Sequence, residues 1–174
     1  QYNQLVEDIK VGNKGDSSWL FESIPGDNIT TIGGSLGVIN SVPAVAFRTY
    51  GGPGLGGFGL GYATRESDGW KVTDLTSTWG WLPSADLKTI NGLPTILFYD
   101  DNGRRLRHAT LVDDVWLYHN ITIPNDDPDD GKSNPQIEQL DDKPIIMYRN
   151  EPEYHQEDGR IQFLGPFATS VEAN

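Results

Sequence analysis

Short runs of this chain alternate between apolar and polar residues with a period of two, and turn residues bound each run. Ala85-Asp-Leu-Lys-Thr-Ile90 alternates in this way, which suits a strand with one buried face. Asn91-Gly92 follows and supplies a hairpin turn, because both residues tolerate positive φ. Leu93 to Tyr99 is almost continuously apolar, as a strand is when both of its faces are covered. Asp101-Asn-Gly103 makes a second turn. Leu106 to Leu111, the Asp113-Asp114 turn and Val115 to Ile121 complete the unit. The pattern predicts four strands joined by three tight turns, an up-and-down meander. No long apolar period of 3.6 residues occurs, and 20 Gly and 11 Pro punctuate the 174 residues, so helices are not expected.

The unit recurs. Pro43-Ala-Val-Ala-Phe-Arg-Thr-Tyr50, Pro94-Thr-Ile-Leu-Phe-Tyr-Asp-Asp101 and Pro144-Ile-Ile-Met-Tyr-Arg-Asn-Glu151 align without a gap. A second motif follows each: Leu60-Gly-Tyr-Ala63, Leu106-Arg-His-Ala109 and Ile161-Gln-Phe-Leu164. After the first two come an acidic turn and a tryptophan, Asp68-Gly-Trp70 and Asp114-Val-Trp116, and Trp19-Leu-Phe-Glu-Ser-Ile24 matches the tryptophan strand. A period near fifty residues is the mark of stacked supersecondary units. A sheet with two apolar faces cannot bury both alone, so such units cover one another. A β-sandwich also has short, regularly spaced strands, but it has no reason to repeat its sequence.

The repeat reads roughly Asn/Asp-Gly-x-Pro-x-Ile-x-Phe-Tyr-x-Asp, then Gly-x-x-Leu-x-x-Ala, then Asp-x-x-Trp. It resembles the blades of sialidase-like bacterial propeller repeats over about Ser35 to Phe167. The resemblance implies an all-β fold, a β-propeller of four-stranded antiparallel blades. The sialidase Asp-box, Ser-x-Asp-x-Gly-x-x-Trp, is not met by Glu66-Ser-Asp-Gly-Trp70, so no catalytic residue is carried over. Residues 1–24 read as a blade end, 35–75 and 84–123 as two blades, and 134–167 as a partial blade lacking its tryptophan strand. That makes about three and a half blades in one domain, fewer than the four to eight of closed propellers. Gln1 in place of Met adds the expectation of an upstream segment. The expected partner is therefore a second copy of the chain or the remainder of a longer propeller. The Trp19 strand is expected to complete a sheet beside Ile161–Leu164, of the same chain in a ring closed by one chain or of the partner in a paired half-ring.

Composition narrows the partners. With a net charge of −12 and only Arg104, Arg105 and Arg107 clustered, nucleic acid is not an expected partner. No apolar run is long enough for a helical membrane span. The absence of cysteine removes disulfides and thiolate chemistry; it is compatible with bacterial secretion or with the cytosol, and an extracellular location is the expectation.

Strand ends after the repeat prolines supply the candidate ligand-binding residues: Arg48, Tyr50, Tyr99, Asp100, Arg149 and Glu151. Arginines, carboxylates and tyrosines on one rim suit a sugar or an acidic ligand, through charge-assisted bonds and ring stacking. Turn chemistry alone also explains Asp and Asn at such places. Trp79 and Trp81, in the connection between blades, make either a sugar-stacking platform or an interblade wedge. Asn125-Asp-Asp-Pro-Asp-Asp-Gly-Lys132 is the place for Ca²⁺ if a cation binds at all, though a solvated loop explains it as well. Otherwise no cofactor is expected. His108, His119 and His155 stand at non-equivalent repeat positions, which argues against a metal triad. The glycine-rich stretch 51–59 leads into a strand, not a helix N-terminus, so it is no phosphate loop. The function expected is a non-catalytic extracellular binding or scaffold module. The alternative is a glycoside hydrolase or lyase using Asp100, Asp101 or Glu151.

Overall fold

A computed structural model describes residues 9–15, 18–25, 29–50, 58–78, 84–100, 105–123, 131–151 and 160–164. All elements among them are β-strands, so no helix there is available to cross a membrane. A hairpin, β1 (Lys10–Lys14) and β2 (Trp19–Ser23), comes first. Two four-stranded antiparallel meanders follow: β3 (Ile29–Ile39), β4 (Val42–Tyr50), β5 (Phe58–Glu66) and β6 (Gly69–Thr78), then β7 (Ala85–Ile90), β8 (Leu93–Asp100), β9 (Arg105–Val112) and β10 (Val115–Asn120). A three-stranded sheet, β11 (Gly131–Leu140), β12 (Lys143–Glu151) and β13 (Arg160–Leu164), comes last. The meander read from the sequence is therefore present twice in full, and three strands of a third unit lie among the described residues.

The hairpins at one end of the sheets share a cause. Asn40-Ser41, Asn91-Gly92, Asp113-Asp114 and Asp141-Asp142 all have positive φ at both residues, between 47° and 79°. That is the two-residue turn whose twist matches the flanking strands, and Asn, Asp and Gly tolerate it best. The acidic pairs are thus hairpin turns as well as solvated charge.

Side-chain alternation builds a layered stack. Ala44 and Ala46 on β4 join Leu60 and Tyr62 against Leu87, Ile96, Phe98 and Ala109 of the second meander. Val45 and Phe47, the intervening residues, pack with Ile24 and Ala63 under the hairpin. On β8, Ile96 and Phe98 face the first meander, while Leu97 and Tyr99 meet Ile137, Ile146 and Tyr148 of the last sheet. The continuous apolar run of β8 exists because both of its faces are interlayer cores.

The innermost strands β3, β7 and β11 adjoin. Lys88 reaches Glu138, Asn91 N–H donates to Gln139, and Ile137 N–H donates to Asp86, so β7 and β11 run the same way. A repeat-equivalent pair of bonds crosses the layers. Leu87 N–H donates to Ser35 Oγ at 3.0 Å, and Ile137 N–H donates to an Asp86 carboxylate oxygen at 2.9 Å. Ser35 Oγ–H donates to the other Asp86 oxygen at 2.9 Å, so one carboxylate ties three sheets together.

One expectation about tryptophan changes. Trp19–Ser23 pairs with Lys10–Lys14, and Arg160–Leu164 pairs with β12, so within this chain the two strands lie in different sheets. Gly12 lies on the same hairpin face as Trp19 and Phe21, which are 59% and 67% exposed. Local pairing across a short connection wins because it closes a far smaller loop. Trp70 and Trp116 lie half-buried on the outermost strands. Trp116 meets Tyr62 edge-on at 5.0 Å, and Trp70 Nε1–H donates to Glu22 at 3.2 Å.

Gly61 sits directly opposite Phe47 across β4 and β5. A Cβ there would lie 2.5 Å from Phe47 Cε2 and 2.9 Å from Thr49 Cγ2. Alanine in a strand normally gains over glycine. Here Gly61→Ala should cost about 1–3 kcal/mol in urea unfolding, because buried Phe47 has no room to retreat. An unchanged or raised midpoint would show that the ring is not seated on this glycine.

Candidate functional site

The ends of β4 and β8 bring two of the expected residues to one interlayer space. Arg48 follows Ala44 and Ala46 in alternation, so it faces the second meander, and it is 5% exposed. Burial lowers its pKa, yet a guanidinium stays charged in proteins, so this end of the layer carries a desolvated cation. Asp100 follows Ile96 and Phe98 and faces the same space from the other side. There it meets a residue the rim argument passed over. Arg107, opposite Phe98 on β9, donates from Nη1 to Asp100 Oδ2 at 2.5 Å.

Aromatic rings flank this pair. The Arg107 guanidinium carbon lies 6.0 Å from the Phe98 ring centre and 5.5 Å from that of Tyr118, within range of a cation–π attraction. Tyr118 donates its hydroxyl to the Leu75 carbonyl at 2.9 Å, which ties β10 to β6. Burial pushes the Tyr118 phenol up, and Arg107 pulls it the other way. Arg107 Nε is buried without a hydrogen-bond acceptor among the described residues. The cluster thus combines a carboxylate, a guanidinium with spare donor capacity and the half-buried Tyr118 ring, backed by the buried Phe98. Such a set can grip a polyol or a small anion.

The remaining candidates fall elsewhere. Tyr99 occupies the same repeat position as Arg48 but is fully buried in the core against the last sheet. Tyr50, Arg149 and Glu151 lie on the ends of β4 and β12, and their side chains are outside the described set. Trp79, Trp81, Asp101 and the acidic stretch 125–130 lie outside the described residues. Among the described residues, no group of three or more His, Cys, Asp or Glu is placed to hold a metal ion.

The sequence reading set His108 and His119 apart, but the structure stacks them. Their rings lie 4.8 Å apart with planes inclined by 19°. Burial and the neighbouring His119 pull the His108 pKa down from 6.5 to about 4. The native state therefore holds this ring neutral while the unfolded chain takes up a proton below pH 6.5. Stability should be intact above pH 6.5 and fall by about 2–3 kcal/mol as the pH drops towards 4. The comparison is between urea midpoints of the parent and His108→Gln in metal-free buffer at pH 7 and 4.5. Carboxylate titration is common to both, so the parent should lose more. Equal losses would mean that His108 is not held neutral.

No protein-family model, no curated protein and no solved structure matches this chain.

Proposed function

We propose that this chain is a non-catalytic binding or scaffold module of β-propeller type, working outside the cell, with a carbohydrate as its ligand. Consecutive repeats stack face to face, and their first strands adjoin in one direction, as blades do around an axis. The observation that carries the binding reading is the Asp100–Arg107 pair held between Phe98 and Tyr118, with buried Arg48 on the facing sheet. Sugars present adjacent hydroxyls to such a carboxylate–guanidinium pair and an apolar C–H face to the half-buried Tyr118 ring.

Leu36 supports a continuing stack. Its repeat equivalents Leu87 and Ile137 are 0% and 3% exposed beneath the preceding sheet, whereas Leu36 is 62% exposed. Further inner strands, from a second copy or from the remainder of a longer propeller, would cover it.

The test is a glycan array probed with the full chain, followed by calorimetry on any hit. Binding should appear, and Arg107→Ala should lower affinity at least about tenfold, the loss of roughly one charge-assisted bond. Blank arrays, or binding untouched by Arg107→Ala and Asp100→Asn, would remove this reading. Turnover of a chromogenic glycoside would replace it with a hydrolase.

A further inference from the structure

The hairpin β1–β2 stands where the outer half of a repeat unit stands. Ile9 precedes Trp19 by the same interval that separates Leu60 from Trp70 and Leu106 from Trp116. Ile24 N–H donates to the Ile9 carbonyl at 2.9 Å, and the equivalent Ile121 N–H donates to the Leu106 carbonyl at 2.9 Å. The packing repeats as well. Ile9 and Ile24 share a core with Val45 and Phe47, as Leu60 and Leu75 do with Ile96 and Phe98. Leu106 and Ile121 do the same with Ile146 and Tyr148. Thus β1 and β2 take the places of a third and a fourth strand, and no first or second strand joins them among the described residues.

Two surfaces are left uncovered by this lack. Leu36 and Val38, on the first strand of the first meander, are mostly exposed, and so are Trp19 and Phe21 on the hairpin face away from that meander. The last sheet has the opposite lack. Leu140 takes the place of Ile39 and Ile90, which are buried against the next sheet, yet Leu140 is 59% exposed. Half-buried Ile145 and Met147 share its face.

We propose, resting on the propeller reading of the stack, that two copies of this chain close one six-bladed ring. At each of two seams, β11 and β12 of one copy supply the inner half of a blade, and β1 and β2 of the other supply the outer half. Each copy adds its two complete meanders, so the count is six, within the four to eight of closed propellers. Both halves already sit on a meander of their own copy, so joining them completes two interfaces at once. A two-fold axis makes the seams identical and leaves no open end of the stack.

Repeat equivalence sets the contacts. Ile9 lies opposite Arg149 of the other copy, as Leu60 lies opposite Arg48 and Leu106 opposite Tyr99. In the single chain β13 holds that slot beside β12, so closure exchanges β13 for β1. Leu36 meets Leu140 of the other copy as Leu87 meets Ile39. The Leu36 N–H meets the side-chain oxygen of Gln136, which stands where Ser35 and Asp86 accept. Trp19 covers His108 of the other copy as Trp116 covers Tyr62.

Sedimentation velocity of the full chain, from about 1 to 100 μM, is the test. The mass should rise from 19.2 kDa to twice that and stop. Each copy carries a net charge of −12, so added salt should tighten the dimer. Leu36→Lys and Leu140→Lys change side chains exposed in the single chain, so both variants should fold. Each should weaken dimerisation at least about a hundredfold, because an unpaired ammonium would be buried in the seam. Ile161→Pro weakens the ladder of the competing β13 and should tighten the dimer. A chain of 19.2 kDa at every concentration, a mass that climbs past the dimer, or unweakened dimers in both lysine variants would overturn the proposal. A monomer whose Leu87 and Ile137 amides exchange slowly would leave the propeller stack standing without the ring, whereas fast exchange there would remove both.

Discussion

Phe98→Ala will lower the unfolding free energy by about 3–5 kcal/mol. The ring is fully buried between the two meanders, where Leu87, Ile96 and Ala109 surround it with Ala46, Leu60 and Tyr62. Neither sheet can collapse into the space without dragging its whole hydrogen-bonded ladder, so most of the cavity persists. The loss also strips Arg107 of one of its two aromatic neighbours. Val115→Ala is the control: that side chain is mostly exposed on β10, and its removal should cost under about 0.5 kcal/mol. Urea unfolding checks both. A cost below about 1 kcal/mol for Phe98→Ala would mean that the meanders do not share this core.

Asp86→Ala will cost about 2–4 kcal/mol. It orphans the Ile137 N–H and the Ser35 hydroxyl together, and hydrogen bonds to a charged acceptor contribute about 1.5–3 kcal/mol each without adding fully. The damage spans three sheets, because the carboxylate accepts from both neighbouring sheets. Asp86→Asn retains one acceptor oxygen and should lose about half as much. A near-neutral Asp86→Ala in the same unfolding assay would show that apolar burial alone aligns the layers.

What the sequence made legible was mostly local. The four-strand meander, the strand boundaries at Asn91-Gly92 and Asp113-Asp114, and the doubly covered run Leu93–Tyr99 follow from period-two patterning and turn chemistry. The candidate site was legible only in part. Period two already separates neighbouring residues, so Tyr99 could have been assigned to the face opposite Asp100. The rim argument instead treated strand ends as one group. Arg107 read as one of three clustered arginines, but its place opposite Phe98 follows once the hairpin register is set by its turn. The same rule yields the histidine pair, since 108 and 119 are equidistant from the 113–114 turn. What no single hairpin encodes is the contact between sheets. Asp86 with Ser35 and Ile137, and Tyr118 with the Leu75 carbonyl, depend on how whole layers stack. The local choice of β1 over β13 by the Trp19 strand was hidden for the same reason.

Amide hydrogen exchange at three repeat-equivalent positions tests the stacking most directly. Leu36, Leu87 and Ile137 lie on the first strands of their sheets, each paired with a strand on one side only. An outward N–H on such an edge exchanges quickly unless something beyond the sheet accepts it. The account predicts slow exchange at Leu87 and Ile137, whose N–H groups are held by Ser35 and Asp86 of the preceding sheets, and fast exchange at Leu36 in the isolated chain. Exchange at Leu87 and Ile137 as fast as at Leu36 would contradict it, because the inner strands would then not be joined across the layers.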